Sequence, residues 1–321
     1  MKILRNYVPA MKYGAKIQPQ DLAGVLGLPT VGNIWYVDPS AGSDTANSGS
    51  EQNNAFATVA AAYTAATASN HDVIIISPTG GTGRTSETTA ITWAKRFTHL
   101  IGSAAPTMQD ARAGISFGTG GSLTISENGC IFANLTFNGT TDINVPVTIT
   151  GDYNSFNGVD FKGSLNDTTG DDTALRALVL SGAQENTFTA CTFGADTFMR
   201  SAANATVEFA SAASRNIFDG CNFVMAADAE TPVHVLFSGT NSVDRFVQFN
   251  DCMFYAFYTN HSAKVNAAFD LSAQTATCDV IMSGNALAVG FDDWEATATN
   301  FMWFQPATAT TTAIGLAINN A

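Results

Sequence analysis

Between residues 128 and 287 one short phrase recurs five times: a Phe, two residues, a Leu, Val or Cys, one residue, and a second Phe. It reads Phe132-x-x-Leu135-x-Phe137, Phe156-x-x-Val159-x-Phe161, Phe188-x-x-Cys191-x-Phe193, Phe218-x-x-Cys221-x-Phe223 and Phe249-x-x-Cys252-x-Phe254, with a degenerate sixth copy, Met282-x-x-Asn285-x-Leu287. The steps between first positions are 24, 32, 30, 31 and 33 residues. A recurrence of this size marks stacked units that touch only their neighbours. Inside the phrase the side chains alternate with the period of two that belongs to a strand. The expected fold is therefore all-β, a single-stranded parallel β-solenoid, in which like residues of successive coils lie one above another.

That register predicts three ladders. The first Phe of each phrase lies inside one strand. The Cys (or Leu, Val) and the second Phe lie inside the next. Burying a Phe contributes roughly 1.5–3 kcal/mol, so the Phe ladders suffice to hold the stack without metal or disulfide. Another strand precedes each phrase, as in Leu123-Thr-Ile, Val147-Thr-Ile, Leu178-Val-Leu, Val207-Glu-Phe, Val235-Leu-Phe and Phe269-Asp-Leu. Asn154, Asn186 and Asn216 stand two residues before their Phe and predict an amide ladder along a bend. Cys191, Cys221 and Cys252 share one register and read as a ladder of small buried hydrophobes. Cys130 and Cys278 bring the count to an odd five, which is no disulfide framework.

The chain of 321 residues carries a net charge of −13 and only 13% charged residues. Nucleic-acid binding, which needs a basic footprint, is not expected. Nor is a membrane span, since no run reaches the 18 or so apolar residues required. The N-terminus lacks the apolar core of a signal peptide. Residues 1–33 differ in sign from the rest: Lys2, Arg5, Lys12 and Lys16 stand against Asp21 alone. Their apolar residues are too many for a solvated tail. Residues 1–33 are therefore expected to be an extended docking arm, with Lys2, Arg5, Tyr7, Lys12, Tyr13, Lys16, Ile17, Leu22 and Leu26 meeting a partner.

Residues 34–77 are expected to cap the first coil. Ile34–Val37 reads as a strand, residues 38–49 as a turn-rich loop, 56–68 as a helix capped by Asn53 or Asn54, and 72–77 as a buried strand. Residues 78–321 form the β-helix, closing on a last coil or strand pair at 301–304 and 314–318. The run Trp35-Tyr-Val-Asp-Pro, Gly42-Ser-Asp44, Asn47-Ser-Gly49, Ala55-Phe-Ala-Thr58 and Asp72-Val-Ile resembles the opening of right-handed parallel β-helix proteins of the pectin-lyase-like superfamily. That resemblance implies the fold and not the function. Ala55 stands where members often carry Pro.

A search for chemistry finds little at the level of motifs. Polysaccharide lyases and hydrolases need clustered carboxylates with basic residues. Asp171-Asp172 and Asp292-Asp293 are the candidates. The first pair resembles the Asp-Asp motif of polygalacturonase-like enzymes, but the Gly-His-Gly and Arg-x-Lys that accompany it there do not occur, and both pairs read as turn residues. His71, His99, His234 and His261 show no metal-ligand spacing. No catalytic residue, cofactor or metal is expected, and the chain is read as no enzyme.

Asn6-Tyr-Val-Pro, Lys12-Tyr-Gly-Ala-Lys-Ile17, Asp21-Leu-Ala-Gly-Val-Leu-Gly-Leu-Pro and Val31-Gly-Asn-Ile34 resemble the start of tailed-phage virion proteins. The resemblance implies a structural component of a bacteriophage virion, assembled in the host cytoplasm, with a capsid decoration or cement protein as the leading expectation. Its partner would be the major capsid protein or another virion protein, and a homo-oligomer such as a trimer fits. The alternative is a tailspike or adhesin that binds host polysaccharide, with or without cleaving it. A free carbohydrate lyase or hydrolase is the weaker third reading.

Overall fold

The computed structural model describes residues 32–81, 83–105, 107–258 and 264–296, together with the backbone of two short strands near the C-terminus. Three columns of parallel strands run the length of the molecule. The first stacks β1 (Ile34–Val37), β2 (Val73–Ile76), β5 (His99–Gly102), the leading halves of β8 (Ile131–Gly139) and β10 (Ser155–Ser164), then β12 (Thr187–Thr189), β15 (Ile217–Asp219), β18 (Phe246–Asn250), β21 (Asp279–Ser283) and β24 (Met302–Phe304). The second stacks β3 (Arg84–Glu87), β6 (Gly114–Phe117), the trailing halves of β8 and β10, then β13 (Thr192–Arg200), β16 (Asn222–Ala227), β19 (Met253–Tyr258) and β22 (Leu287–Val289). The third runs β4 (Ala90–Trp93), β7 (Ser122–Ile125), β9 (Val147–Ile149), β11 (Leu178–Ser181), β14 (Ala205–Ser211), β17 (Val233–Phe237), β20 (Val265–Asp270) and β23 (Phe291–Glu295). The fold is the parallel β-helix that the repeat predicts. β25 (Leu316–Ala317) lies antiparallel on β24 and ends the first column.

The ladders form as expected. Phe132, Phe156, Phe188, Phe218 and Phe249 stack with successive centroids 5.0, 4.8, 4.6 and 4.8 Å apart. Phe137, Phe161, Phe193, Phe223 and Phe254 follow at 5.6, 5.3, 4.9 and 4.5 Å. All ten are fully buried, as are Cys191, Cys221 and Cys252. Each of these thiols donates to the carbonyl of a Phe one coil away, Cys221 to Phe188 at 3.3 Å. The two residues between the ladders make the corner. One residue per coil there takes a left-handed conformation: Asn134, Gly158, Ala190, Gly220 and Asp251. The amide ladder also forms, since Asn154 Oδ1 accepts from Cys130 N, Asn186 Oδ1 from Asn154 N and Asn216 Oδ1 from Asn186 N, at 2.8, 2.8 and 3.0 Å.

Two local readings are corrected. The helix α1 spans only Val59–Ala65 and is capped by Thr58, whose hydroxyl accepts from Ala61 N, and not by Asn53 or Asn54, which form a separate short turn. Phe56 is drawn into the core opposite Val37 instead of opening the helix. The second correction is in the degenerate sixth phrase. Met282 continues the first Phe ladder, but Ala288, and not Leu287, lies under Phe254. One inserted residue at this corner shifts the strand, and a shift of one turns Leu287 to the outside, where it is 51% exposed.

Candidate functional site

Alternation along the second column points every other side chain away from the core. The outward residues are Arg84 and Ser86 on β3, Ser116 on β6, Thr136 and Asn138 on β8, and Asp160 and Lys162 on β10. The segment leading into β6 folds back over this face. It carries Asp110, Ala111 and Arg112, and its Ala111 N–H donates to Asp160 Oδ2 at 2.9 Å. Gly83 permits the close approach, since a Cβ there would stand 1.9 Å from the Arg112 carbonyl oxygen. The result is a cleft of about 290 Å3 lined by Gly83, Arg84, Ser86, Arg112 and Ser116.

Asp110 joins two coils electrostatically. Its Oδ1 accepts from Arg84 Nη2, and from Lys162 Nζ at 3.2 Å. Arg84 also donates to Asn138 Oδ1 and the Ala111 carbonyl, each at 3.3 Å, and Ser116 donates to the same Asn138 oxygen at 3.1 Å. Partial burial pushes the Asp110 carboxyl up, but the Arg84 and Lys162 contacts outweigh it and hold the group below the usual carboxylate range. Asp160 behaves in the opposite way. Burial raises it, and the opposing pull of the Ala111 N–H, the Thr136 hydroxyl and the two cations does not restore it. Two carboxyls on one face are thus driven apart, a pattern that concentrates at functional sites. Their exposure differs as well. The Asp110 side chain is 46% exposed, whereas Asp160 is 1% exposed and ties down the segment that carries Asp110. Arg112 is exposed and, among the described residues, makes no ion pair or hydrogen bond through its side chain.

The residues singled out from sequence fare unevenly. The arm residues Lys2, Arg5, Tyr7, Lys12, Tyr13, Lys16, Ile17, Leu22 and Leu26 lie outside the described residues, as does His261. Asp171 accepts from Ser201 Oγ, and Asp172 accepts from Asn144 Nδ2 and Ala174 N, both at 2.8 Å, so this pair organises turns. Asp292 pairs with Lys264 at 3.4 Å on the rim. His99 is buried, which pushes it down to about 4, and its Nδ1 accepts from Ile131 N. No three His, Cys, Asp or Glu residues stand together as metal ligands among the described residues. No helix among them is long and apolar enough to cross a membrane.

The sequence carries one signal for this cleft. The residue between the two inward positions of the phrase is Thr136, Thr192, Asn222 or Met253 in other coils, but Asp160 in the second, with Lys162 just beyond. A charge pair at outward positions of one coil alone marks that coil as different.

The sequence matches no protein-family profile and no curated protein. Among solved structures the chain is similar to a pectin methylesterase of Aspergillus niger (13% identity, 89% of this chain and 94% of that one, TM-score 0.49). It is similar also to a pectin methylesterase of Erwinia chrysanthemi (15% identity, 81% and 80%, TM-score 0.49). A third, the ORF18 protein of Geobacillus virus E2, shares 12% identity over 88% of this chain and 62% of that one, with a TM-score of 0.35. At these identities the likeness is one of architecture. It corrects the expectation that the chain is no enzyme. Solved structures of this architecture include pectin methylesterases and a pectate lyase. The absence of a familiar motif therefore excludes no catalysis on this fold.

Proposed function

We propose that this chain is a polysaccharide-binding β-helix of the tailspike or adhesin kind, which takes an acidic glycan into the cleft on its second column. One observation carries the reading. On a protein of net charge −13, this face gathers Arg84 and Lys162 around the exposed carboxylate of Asp110, and Arg112, which lines the cleft, has no ion-pair partner among the described residues. A guanidinium in that position matches a uronate carboxylate in two-pronged geometry. Ser86 and Ser116 line the cleft and supply the uncharged partners that sugar hydroxyls need. Asp110 is the carboxylate that is both ionised and exposed, so turnover of the bound glycan is assigned to it. Asp160 is a positioning residue that holds the Asp110 segment in place. The phage setting rests on the resemblance of the N-terminal segment to tailed-phage virion proteins; the capsid decoration reading has no observation among the described residues in its favour.

The test is titration with oligogalacturonate, with dextran of matched length as the neutral control, followed by a reducing-end and ester-release assay. Charge-assisted hydrogen bonds contribute about 1.5–3 kcal/mol, so Arg112→Ala should weaken binding of the acidic glycan about ten- to a hundredfold. Asp110→Asn releases Arg84 and Lys162 from their internal partner, and should tighten acidic binding while abolishing turnover. Equal binding of dextran, or an unchanged affinity in Arg112→Ala, would overturn the binding reading. A wild type that binds but never turns over would remove the role given to Asp110.

A further inference from the structure

The molecule holds a second cationic group that the cleft does not use. Arg200 ends β13, where the second column turns toward β14 of the third, and it is fully buried. Its Nη1 donates to Thr206 Oγ1 at 3.1 Å. Thr206 Oγ1 lies 3.1 Å from His234 Nδ1, and His234 Nε2 lies 3.1 Å from the Tyr255 carbonyl oxygen. Burial holds the His234 ring neutral, and with a neutral ring one arrangement of hydrogens satisfies this chain. The carbonyl can only accept, so Nε2 carries the proton of a neutral imidazole. Nδ1 then accepts the Thr206 hydroxyl hydrogen, and Thr206 in turn accepts from Arg200. Thr206 and His234 are fully buried too, and burial pushes His234 down to about 3.

This chain leaves Arg200 with two donors, Nε and Nη2, that have no partner. No carboxylate forms an ion pair with it among the described residues, and the charge that acts on it is that of another cation, Arg176. Arg176 is itself occupied by Glu208. An arginine does not shed its proton to escape burial, and a buried charge without a counterion is not a stable arrangement. Gly194 lies against the free donors: its left-handed φ of +85° excludes most side chains, and a Cβ there would meet the Val224 carbonyl oxygen at 2.2 Å and Nη2 at 3.4 Å. Asn204 Oδ1, another buried atom without a partner, is an acceptor and offers no negative charge.

We propose that Arg200 Nε and Nη2 bind a small monovalent anion of halide size, enclosed at the corner between β13 and β14 as the missing counterion. The ion completes the donor set of Arg200 and fixes the 201–204 connection between two columns. Complete enclosure selects a monatomic ion over a carboxylate-bearing ligand. The site is separate from the glycan cleft, so the two readings stand or fall independently.

Two measurements on the full chain test it. Crystals grown in bromide should show an anomalous peak within about 3.5 Å of Arg200 Nε and Nη2. Thermal melting at constant ionic strength, with bromide or chloride exchanged for gluconate, should show a Tm that rises about 2 °C for each tenfold increase in halide above its Kd. Arg200→Met should lose that halide dependence. A site filled by water alone, seen as no bromide peak and equal melting in gluconate, would overturn the proposal. Halide dependence that survives in Arg200→Met would do so as well. Should Arg200→Met fail to fold, the bromide map of the natural protein decides the question.

Discussion

Phe188→Ala is the substitution that most directly tests whether the stacked rings hold this solenoid together. Phe188 is fully buried and its ring lies parallel to Phe156 at 4.8 Å and Phe218 at 4.6 Å. It also meets Phe161 and Phe193 edge-on, at 6.1 and 5.7 Å. Truncating a buried Phe typically costs about 3–5 kcal/mol in lost transfer energy and residual cavity. Aromatic pairs add about 0.5–1.5 kcal/mol beyond area, and four are lost here, which places Phe188→Ala at the upper end of that range. The neighbours cannot collapse into the gap, because their heights are fixed by the ladder hydrogen bonds of Thr187 and Thr189 to the coils on either side. Phe188→Leu keeps most of the volume and should cost about half as much. Urea titration followed by circular dichroism at 218 nm and by intrinsic fluorescence measures both. In a solenoid each unit is coupled to its neighbours alone, so the two probes should separate in Phe188→Ala as the coils on either side of the gap uncouple. A loss below about 1 kcal/mol, inside the ordinary range for surface changes, would refute the argument that the stacked rings carry the fold.

Other expectations follow from single sites. Asp72 accepts from Asn33 N, Trp35 Nε1, Thr67 N and Asn70 Nδ2. Burial raises its carboxyl, but these four donors win and hold it below the ordinary value; its stabilisation is therefore present above the unfolded value of about 4 and lost as pH falls through the folded one. Asp72→Asn should flatten the acid limb of a stability–pH profile between about pH 2 and 5, and an unchanged limb would contradict this. Asn186→Leu leaves Asn154 N–H and the Gly151 carbonyl buried without partners, and should cost about 2–4 kcal/mol by denaturant titration, at about 1–3 kcal/mol per orphaned group. All five cysteines are free and buried, and burial pushes the Cys278 thiol up to about 12. The native protein should resist a thiol reagent that titrates five groups after denaturation; rapid labelling of the folded form would show that the coils open.

The core was legible because the constraint that makes it repeats in the chain. Each coil must place a bulky ring at the same height, so Phe156, Phe188 and Phe218 recur at near-constant intervals. The corner between the two ladders needs the same two intervening residues each time. The same reasoning failed where one coil departs from the rule: the extra residue before Leu287 is silent in a pattern match, yet it reverses which side of the sheet that residue faces. Helix α1 is shorter than the 56–68 that its Ala-rich sequence predicts, because the bridge from Phe56 to Val37 takes the chain out of helical geometry.

What the sequence determined by itself was the period, the inward registers of Phe and Cys, and the amide ladder, since each is a local rule applied coil after coil. What only the tertiary structure decided was where chemistry gathers. Arg84, Asp110 and Lys162 are separated by 26 and 52 residues, and no motif joins them. Arg84 and Lys162 share a face because stacking sets successive coils about 4.8 Å apart and alternation turns both side chains outward, and Asp110 reaches them because the segment before β6 folds back over that face. Arg200, Thr206 and His234 meet in the same way, across 6 and 28 residues, at a corner where two columns converge. Outward positions carry no packing constraint of their own, so their residues vary freely along the chain and become neighbours only when the coils are wound.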